Sequence, residues 1–411
     1  MKRKIDIHQI EIGMYVSELD RPWVESPFLF QGFEIKSDDD IAQLRKVCKY
    51  VIIDSDKGAD VDDRLKWHVD PLVKVSDYQQ PENENTRPSL DKKSAFFDEL
   101  PKAKKIERKT RSVIHTIMDD IRLGRSLDTS AAKEVVGELT ESIVRNPDAM
   151  MCLSMLKEQD EYTALHSLRV CILAVTFGRE LGYSIEELEQ LGTGALLHDL
   201  GKLKIPLEVL NKPGRLTPKE FEIVKSHVPI GVQILEDSRG GIDEASINVA
   251  RFHHERVDGS GYVSGSAGKD LPEFGMVGGI VDCYDAITSD RIYKNGISSY
   301  DALKKMYEWR GSAFDPGLVE KFIQCMGIYP IGSLVEMNTG SVGVVATINR
   351  KRRLRPKVVL VLTSDKKPFD KPKVVDLIDE SIHARDLEIK SVLASGTYGI
   401  NPVDYLPIHE Q

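Results

Sequence analysis

The sequence predicts a mainly helical protein, with a helical bundle at its centre, a small α/β module before it and a short β-rich segment after it. Three observations carry this. From about residue 105 to 330, apolar residues recur at helical spacing between capping signals. Runs with strand character lie before about residue 75 and after about 330. A polar, proline-containing stretch, Asp77–Pro88, separates the first module from the bundle. The expected boundaries are 1–75 for the N-terminal module, 76–128 for a linker and connecting helix, 129–330 for the bundle and 331–411 for the C-terminal extension.

In the first module, Ile5, Ile7 and Ile10 lead into a strand-like Gly13–Val16. Ser37–Asp40 then precedes Ile41–Leu44, a helix with a capped, acid-rich first turn. Tyr50–Asp54 reads as a strand. Pro22-Trp23 and Ser26–Phe30 form an aromatic loop, whose rings are expected in core packing. Residues 76 to about 104 read as a linker from their polar composition.

In the bundle, Asp128 can cap a helix from Ser130 to Val144, which Asn146-Pro147 ends. Asp160 can start the helix that carries His166, and Gly182 can stop it. Ser184–Glu187 is a capping box, and its helix ends close to His198-Asp199. Thr217–Glu220 is a second box with proline at the first helical position, and its helix runs toward His227. Asp243 can cap the helix that delivers His253-His254. Pro272 opens a helix carrying Asp282 and Asp285, and Asp315-Pro316 starts a last helix ending at Gly327. Beyond it, Leu334–Met337 and Val342–Ile348 read as a hairpin, with Lys357–Leu362 as a third strand.

A chain of 411 residues with 41% hydrophobic content fits two to three ordinary globular domains. Net charge of −9 argues against general binding to nucleic acid polymers or anionic membranes, so an anionic substrate needs local cations. The five cysteines are scattered without a paired motif, which indicates a reduced, cytoplasmic compartment. The basic N-terminus is not followed by an apolar core, and no apolar run reaches the ~18 residues of a membrane span.

The chemistry lies in His166, the adjacent His198-Asp199, His227, the pair His253-His254, and Asp282. Any one histidine alone would more often be structural; the joint pattern, on or at the ends of five helices, is far more specific. Imidazoles and carboxylates at this density, without cysteine pairs, suit more than one divalent metal and hydrolysis of a phosphate ester. Residues i and i+1 point about 100° apart on a regular helix. At a helix end, both His198 and Asp199 can reach one dimetal centre, with the two oxygens of Asp199 bridging the ions. His8, His68, His115, His383 and His409 have no such setting and are expected to be surface or structural.

The pattern resembles the HD-GYP family, a branch of the HD phosphohydrolases, over about residues 145–330. The resemblance rests on His198–Lys202, Ile205-Pro206, Asn211–Thr217, His227–Gly231, His253–Tyr262 and Asp282–Lys294. Residues 1–75 also resemble a module of unknown role found before such domains, through Gly13–Val16, Pro22-Trp23 and Pro27–Phe33. The resemblance implies an HD-type bundle that opens cyclic di-GMP to linear pGpG by attack of a metal-bridging hydroxide, with further cleavage to GMP left open. It implies metal ligation by His166, His198, Asp199, His227, His253, His254 and Asp282, with iron or manganese favoured and zinc, nickel, cobalt or magnesium permitted. It implies phosphate binding by Arg291 and Lys294, with Lys202 close enough to reach a phosphate at the metals; Lys204, Lys212 and Arg215 are further cations in the segment.

Two departures stand out. Gly261-Tyr262 is followed by Val263 where the family has proline, in a loop associated there with diguanylate cyclase partners. Tyr162 stands four residues before His166, where some members carry a glutamate for a third metal, so two metals are expected. Two other readings remain open: a phosphohydrolase of another nucleotide, and a non-catalytic cyclic di-GMP sensor. A homodimer is compatible with the chain.

Overall fold

The computed structural model describes residues 2–20, 32–59, 94–155, 162–289, 296–350, 352–379, 387–394 and 396–406. The chain divides into two compact units, Met1–Arg87 and Pro88–Gln411. The aromatic loop, Asp160, Glu161, Arg291, Lys294, His68, His383 and His409 lie outside the described residues.

The first unit is an antiparallel sheet of β1 (Lys2–Asp6), β2 (Tyr15–Leu19), β3 (Phe33–Glu34) and β4 (Tyr50–Asp54), in the order β1-β4-β2-β3, with one helix, α1 (Asp38–Val47). Val51 and Ile53 alternate inward from β4 and meet Ile5, Val16, Ile35 and Leu44 in one core. Ser37 and Asp40 form a reciprocal capping box at the start of α1, as the acid-rich turn predicts.

The second unit opens with α2 (Phe96–Arg122), so residues 96–104 are helical where composition suggested a linker. Buried Glu99 accounts for part of this. Its carboxylate accepts from Arg145 and from Ser142 Oγ at 2.8 Å, which fastens the first turns of α2 to α3 (Ser130–Arg145). Next come α4 (Pro147–Ser154), α5 (Tyr162–Leu181) and α6 (Ile185–Leu197). From Ala164 to Gly178 every side on α5 is buried, which explains its run of apolar residues without a polar face.

The succession continues with α7 (Leu207–Leu210), α8 (Pro218–Lys225), α9 (His227–Glu236), α10 (Glu244–Phe252), α11 (Glu273–Thr288), α12 (Ser299–Glu308) and α13 (Pro316–Met326). Both predicted capping boxes, Ser184/Glu187 and Thr217/Glu220, form. Three local expectations change. Thr129, not Asp128, is the N-cap of α3, although Asp128 Oδ1 still accepts from Ser130 N at 2.9 Å. Asp243 takes the N-cap position of α10 without a side-chain hydrogen bond. The helix from Thr217 stops at Lys225, and His227 opens a new one. Pro229 has no N–H to give to a carbonyl four residues back, so it is accommodated in a fresh first turn.

The C-terminal sheet is antiparallel, in the order β8-β7-β6-β5-β9, from β5 (Leu334–Met337), β6 (Val342–Thr347), β7 (Lys357–Leu362), β8 (Pro368–Asp376) and β9 (Ile389–Leu393). Val335, Met337, Val345, Val358 and Leu360 form its core with Ile328 and Tyr329 of the segment after α13. The loop after β6 reaches the bundle: Arg350 Nη1 lies 3.0 Å from Oδ1 of Asp148, a fully buried carboxylate in the first turn of α4. Among the described residues no helix is long and apolar enough to cross a membrane.

Candidate metal centre

The structure brings all seven predicted ligands together. His166 comes from the first turns of α5. His198 and Asp199 follow α6 at the turn into a short 3-10 segment, Leu200–Lys204. His227 is the first residue of α9, His253 and His254 follow the end of α10, and Asp282 lies within α11. Their donor atoms fall into three overlapping groups, each with atoms within 4.8 Å of one another: Asp199/His227/His253/His254, His166/His198/Asp199 and His198/His253/Asp282. Asp199 belongs to two of them. Its Oδ2 lies 3.5 Å from His166 Nε2 and 3.3 Å from His198 Nε2; its Oδ1 lies 3.5 Å from His227 Nε2 and 3.7 Å from His253 Nε2. Each carboxylate oxygen thus faces a different set of imidazoles.

Close packing makes this possible. A Cβ on Gly201 would stand 1.9 Å from the carbonyl oxygen of His227, so only glycine lets the turn after Asp199 lie against the start of α9. Helix ends supply the orientation. The Nδ1 atoms of His198, His227 and His253 meet the carbonyls of Ala195, Val224 and Ala250 at 2.8, 2.6 and 2.8 Å. An Nδ1–H donating there leaves Nε2 as a lone-pair donor turned inward. These three Nε2 atoms and Asp199 Oδ1 are buried without a hydrogen-bond partner. Buried polar atoms are seldom left so, and four such atoms within overlapping groups of potential ligands fit a metal centre held by nitrogen and oxygen.

The electrostatics agree. Burial alone would raise the pKa of Asp199, but the neighbouring charges of His198 and Lys202 and the bond to His166 hold it well below the usual carboxylate range. Asp282 is buried too, and His166 and His198 hold it well below that range as well. His166 is raised well above the usual histidine value: burial opposes this, and hydrogen bonds to Asp199, Asp282 and Asp285 outweigh it. The same contest raises His198 to about 9. Burial wins at His227, lowered to about 4, and at His253 and His254, which are also lowered. Two buried carboxylates therefore draw in positive charge, which divalent ions supply when bound.

Two residues with no role read from sequence complete the site. Asp285 Oδ2 meets His166 Nδ1 at 2.7 Å, and Arg169 grips the same carboxylate from Nε at 2.6 Å and Nη2 at 3.0 Å. All three are buried, and Asp285 is lowered to about 2: burial opposes the shift, and the Arg169 charge and the His166 bond impose it. The spacing held the signal. Arg169 follows His166 by three residues and Asp285 follows Asp282 by three, so each pair shares a helix face.

Lys202 Nζ lies 2.5 Å from Asp199 Oδ2, with about a quarter of its side chain exposed. Two of the additional cations are engaged elsewhere, Lys204 with the carbonyl of Ile121 and Lys212 with Glu220. Of the other histidines, His8 is exposed and His115 is half-buried. In the loop, Val263 points outward at 52% exposure, whereas Tyr262 turns in and stacks on His254, with centroids 4.6 Å apart and planes at 26°.

Comparison with known proteins resolves three segments. Residues 150–318 match the model of the HD domain, residues 2–132 that of a domain of unknown function, and residues 334–384 that of a KOW domain associated with the HD domain. The chain is 34% identical over 379 residues to the cyclic di-GMP phosphodiesterase PA4108 of Pseudomonas aeruginosa, covering 92% of this chain and 89% of the relative. The chain belongs to the HD-GYP family. Two other relatives match shorter stretches of the chain. A cyclic di-GMP phosphodiesterase of Thermotoga maritima is 38% identical over 43% of this chain and 48% of its own length. The 3'3'-cGAMP-specific phosphodiesterase 2 of Vibrio cholerae is 33% identical over 39% of this chain and 31% of its own length. The match to the domain of unknown function ends inside α3, beyond the division between the two compact units at Arg87–Pro88.

Proposed function

We propose that this HD-GYP protein hydrolyses cyclic di-GMP to linear pGpG, at a centre of two divalent ions, iron or manganese. The observation that carries the proposal is that His198, His227 and His253 Nε2 and Asp199 Oδ1 are buried without partners inside three overlapping groups of potential ligands. Its setting supports it: a chain similar over 92% of its length to a protein named as a cyclic di-GMP phosphodiesterase. His166, His198, Asp199, His227, His253, His254 and Asp282 would hold the ions. Bound there, the ions supply Lewis acidity toward phosphoryl oxygens and bring the pKa of water toward neutrality.

The chain's own residues do the rest. Asp199 offers one oxygen to each half of the centre and so fixes the spacing of the reacting groups. Lys202 sets a cation at the edge of the centre, where a phosphate would arrive. Arg291 and Lys294 take the phosphates of the substrate, a role that rests on their place in the family motif. The other readings stay distinguishable. Similarity to the Vibrio cholerae 3'3'-cGAMP-specific enzyme favours testing that dinucleotide beside cyclic di-GMP.

The experiment is product chromatography on manganese- or iron-loaded protein with each dinucleotide, beside Asp199→Ala. The expected result is pGpG from the wild type, no detectable product from the variant, and unchanged circular dichroism. Comparable pGpG from the variant would refute the bridging role. No turnover by the wild type with any metal would leave the sensor reading standing. The same chromatograms show whether GMP is formed in turn.

A further inference from the structure

We infer that Tyr262 is a positioning residue for His254, and that Glu255 holds Tyr262 in place; the inference rests on the reading of His254 as a metal ligand. The starting point is an asymmetry among the imidazoles. His198, His227 and His253 are each oriented by a carbonyl three residues back. Among the described residues, neither ring nitrogen of His254 has a hydrogen-bond partner. Its ring is instead enclosed by other rings: Tyr262 stacked at 4.6 Å, His253 at 4.0 Å and His227 edge-on at 5.1 Å. His253 and His227 are themselves held by their carbonyl bonds. Tyr262, eight residues further along the same loop, supplies the stacked face.

Three features bring Tyr262 there. Its N–H donates to the carbonyl of His254 at 3.2 Å. A Cβ on Gly261 would lie 2.4 Å from Glu255 Cα and 2.5 Å from Arg256 N, so the loop presses on the ligand segment at a distance only glycine allows. Glu255, the neighbour of His254 in sequence, is 5% exposed, and its Oε1 accepts from Ser264 N at 2.7 Å, Ser264 Oγ at 2.8 Å and Gly265 N at 3.2 Å. Charge-assisted bonds of this kind are about twice as strong as neutral ones. The segment His254–Gly265 is thus closed on itself, with its two ends fastened by Glu255 and the tyrosine ring trapped against the ligand. Phe221 meets the outer side of that ring edge-on at 5.7 Å, and the Lys225 ammonium lies over both rings. The inward work of the loop falls to Tyr262 and its outward surface to Val263.

The test is manganese titration of the metal-stripped full-length chain by calorimetry, for wild type, Tyr262→Ala, Tyr262→Phe, Glu255→Ala, Glu255→Gln and the double alanine variant. Partners behind a metal ligand typically change affinity by about 10–100-fold. Tyr262→Ala and Glu255→Ala should each weaken the weaker site by about ten-fold. Tyr262→Phe, which keeps the ring, and Glu255→Gln, which keeps an acceptor, should restore most of it. The double variant should be no worse than the poorer single, because both changes release the same ring. Wild-type affinity in Tyr262→Ala would overturn the inference while the metal reading survives, and so would additive losses in the double variant. A wild type that binds no ion would remove the metal reading and the inference together. Tyr262→Ala alters only a partly exposed loop side chain, so it remains decisive if Glu255→Ala does not fold.

Discussion

The orientation of His166 depends on a residue outside the seven proposed ligands. Its Nδ1 is committed to Asp285, which Arg169 in turn fixes with two bonds, so the imidazole presents Nε2 to the centre in one orientation. Asp285→Asn keeps the shape but removes the charge and can turn an amide N–H toward Nδ1. We expect turnover of cyclic di-GMP to fall about 10–100-fold, with the chain still folded. Steady-state kinetics beside elemental analysis would check this, and wild-type turnover would show that His166 needs no such support. The seven clustered residues were legible because residue type and neighbour announce them: adjacent His198-Asp199 and His253-His254 stand out in the sequence. Asp285 and Glu255 were harder to find. Both stand inside the motifs, but their roles depend on contacts with Arg169 and with Ser264-Gly265, and a carboxylate beside a ligand looks the same whether it binds an ion or a loop.

At the scale of elements, local signals were read well where local chemistry decides. Ser184/Glu187 and Thr217/Glu220 cap their helices because each box satisfies backbone donors within one turn. The start of α2 was missed because its anchor is distant: Glu99 finds Ser142 and Arg145 across 43 and 46 residues. Strand β8 was missed for a related reason. It is an exposed edge strand containing Pro368 and Pro372, and proline is tolerated only where a ladder bond is not needed. The Glu99 anchor also makes a prediction. Burial alone would raise its pKa, but the Arg145 and Ser142 bonds bring it below the ordinary 4.5. A carboxyl depressed in the folded state adds stability that is complete above about 4.5 and is lost as pH falls through the lower folded value. Glu99→Gln should therefore cost about 1.5–3 kcal/mol at pH 7. The gap from wild type should narrow below pH 4.5 in urea titrations. A gap constant down to pH 3 would show that the charge contributes nothing.

For the molecule as a whole, the three sequence matches and the two compact units divide the chain differently. The sheet after residue 330 shares a unit with the bundle, and the Arg350–Asp148 pair shows one reason why. Asp148 is fully buried, and the Arg350 guanidinium lies against its carboxylate. Removing one partner of such a pair costs about 3–5 kcal/mol. Arg350→Met should lower stability by that order, read by urea unfolding of the second unit, and a loss under 1 kcal/mol would show that the pair is replaceable.

The anchors at Glu99 and Arg350 decide how this enzyme can be taken apart. The HD match, residues 150–318, invites excision as a self-sufficient cassette, to be grafted onto other proteins. Such a fragment would begin after Asp148 and lack Arg350, and it would also lose Glu99 with the helix that carries it. The portable unit is larger than the recognisable one. It starts near Pro88 and includes the C-terminal sheet, so an engineer who trims to the motif would be left with the clustered histidines and without the scaffold that sets them.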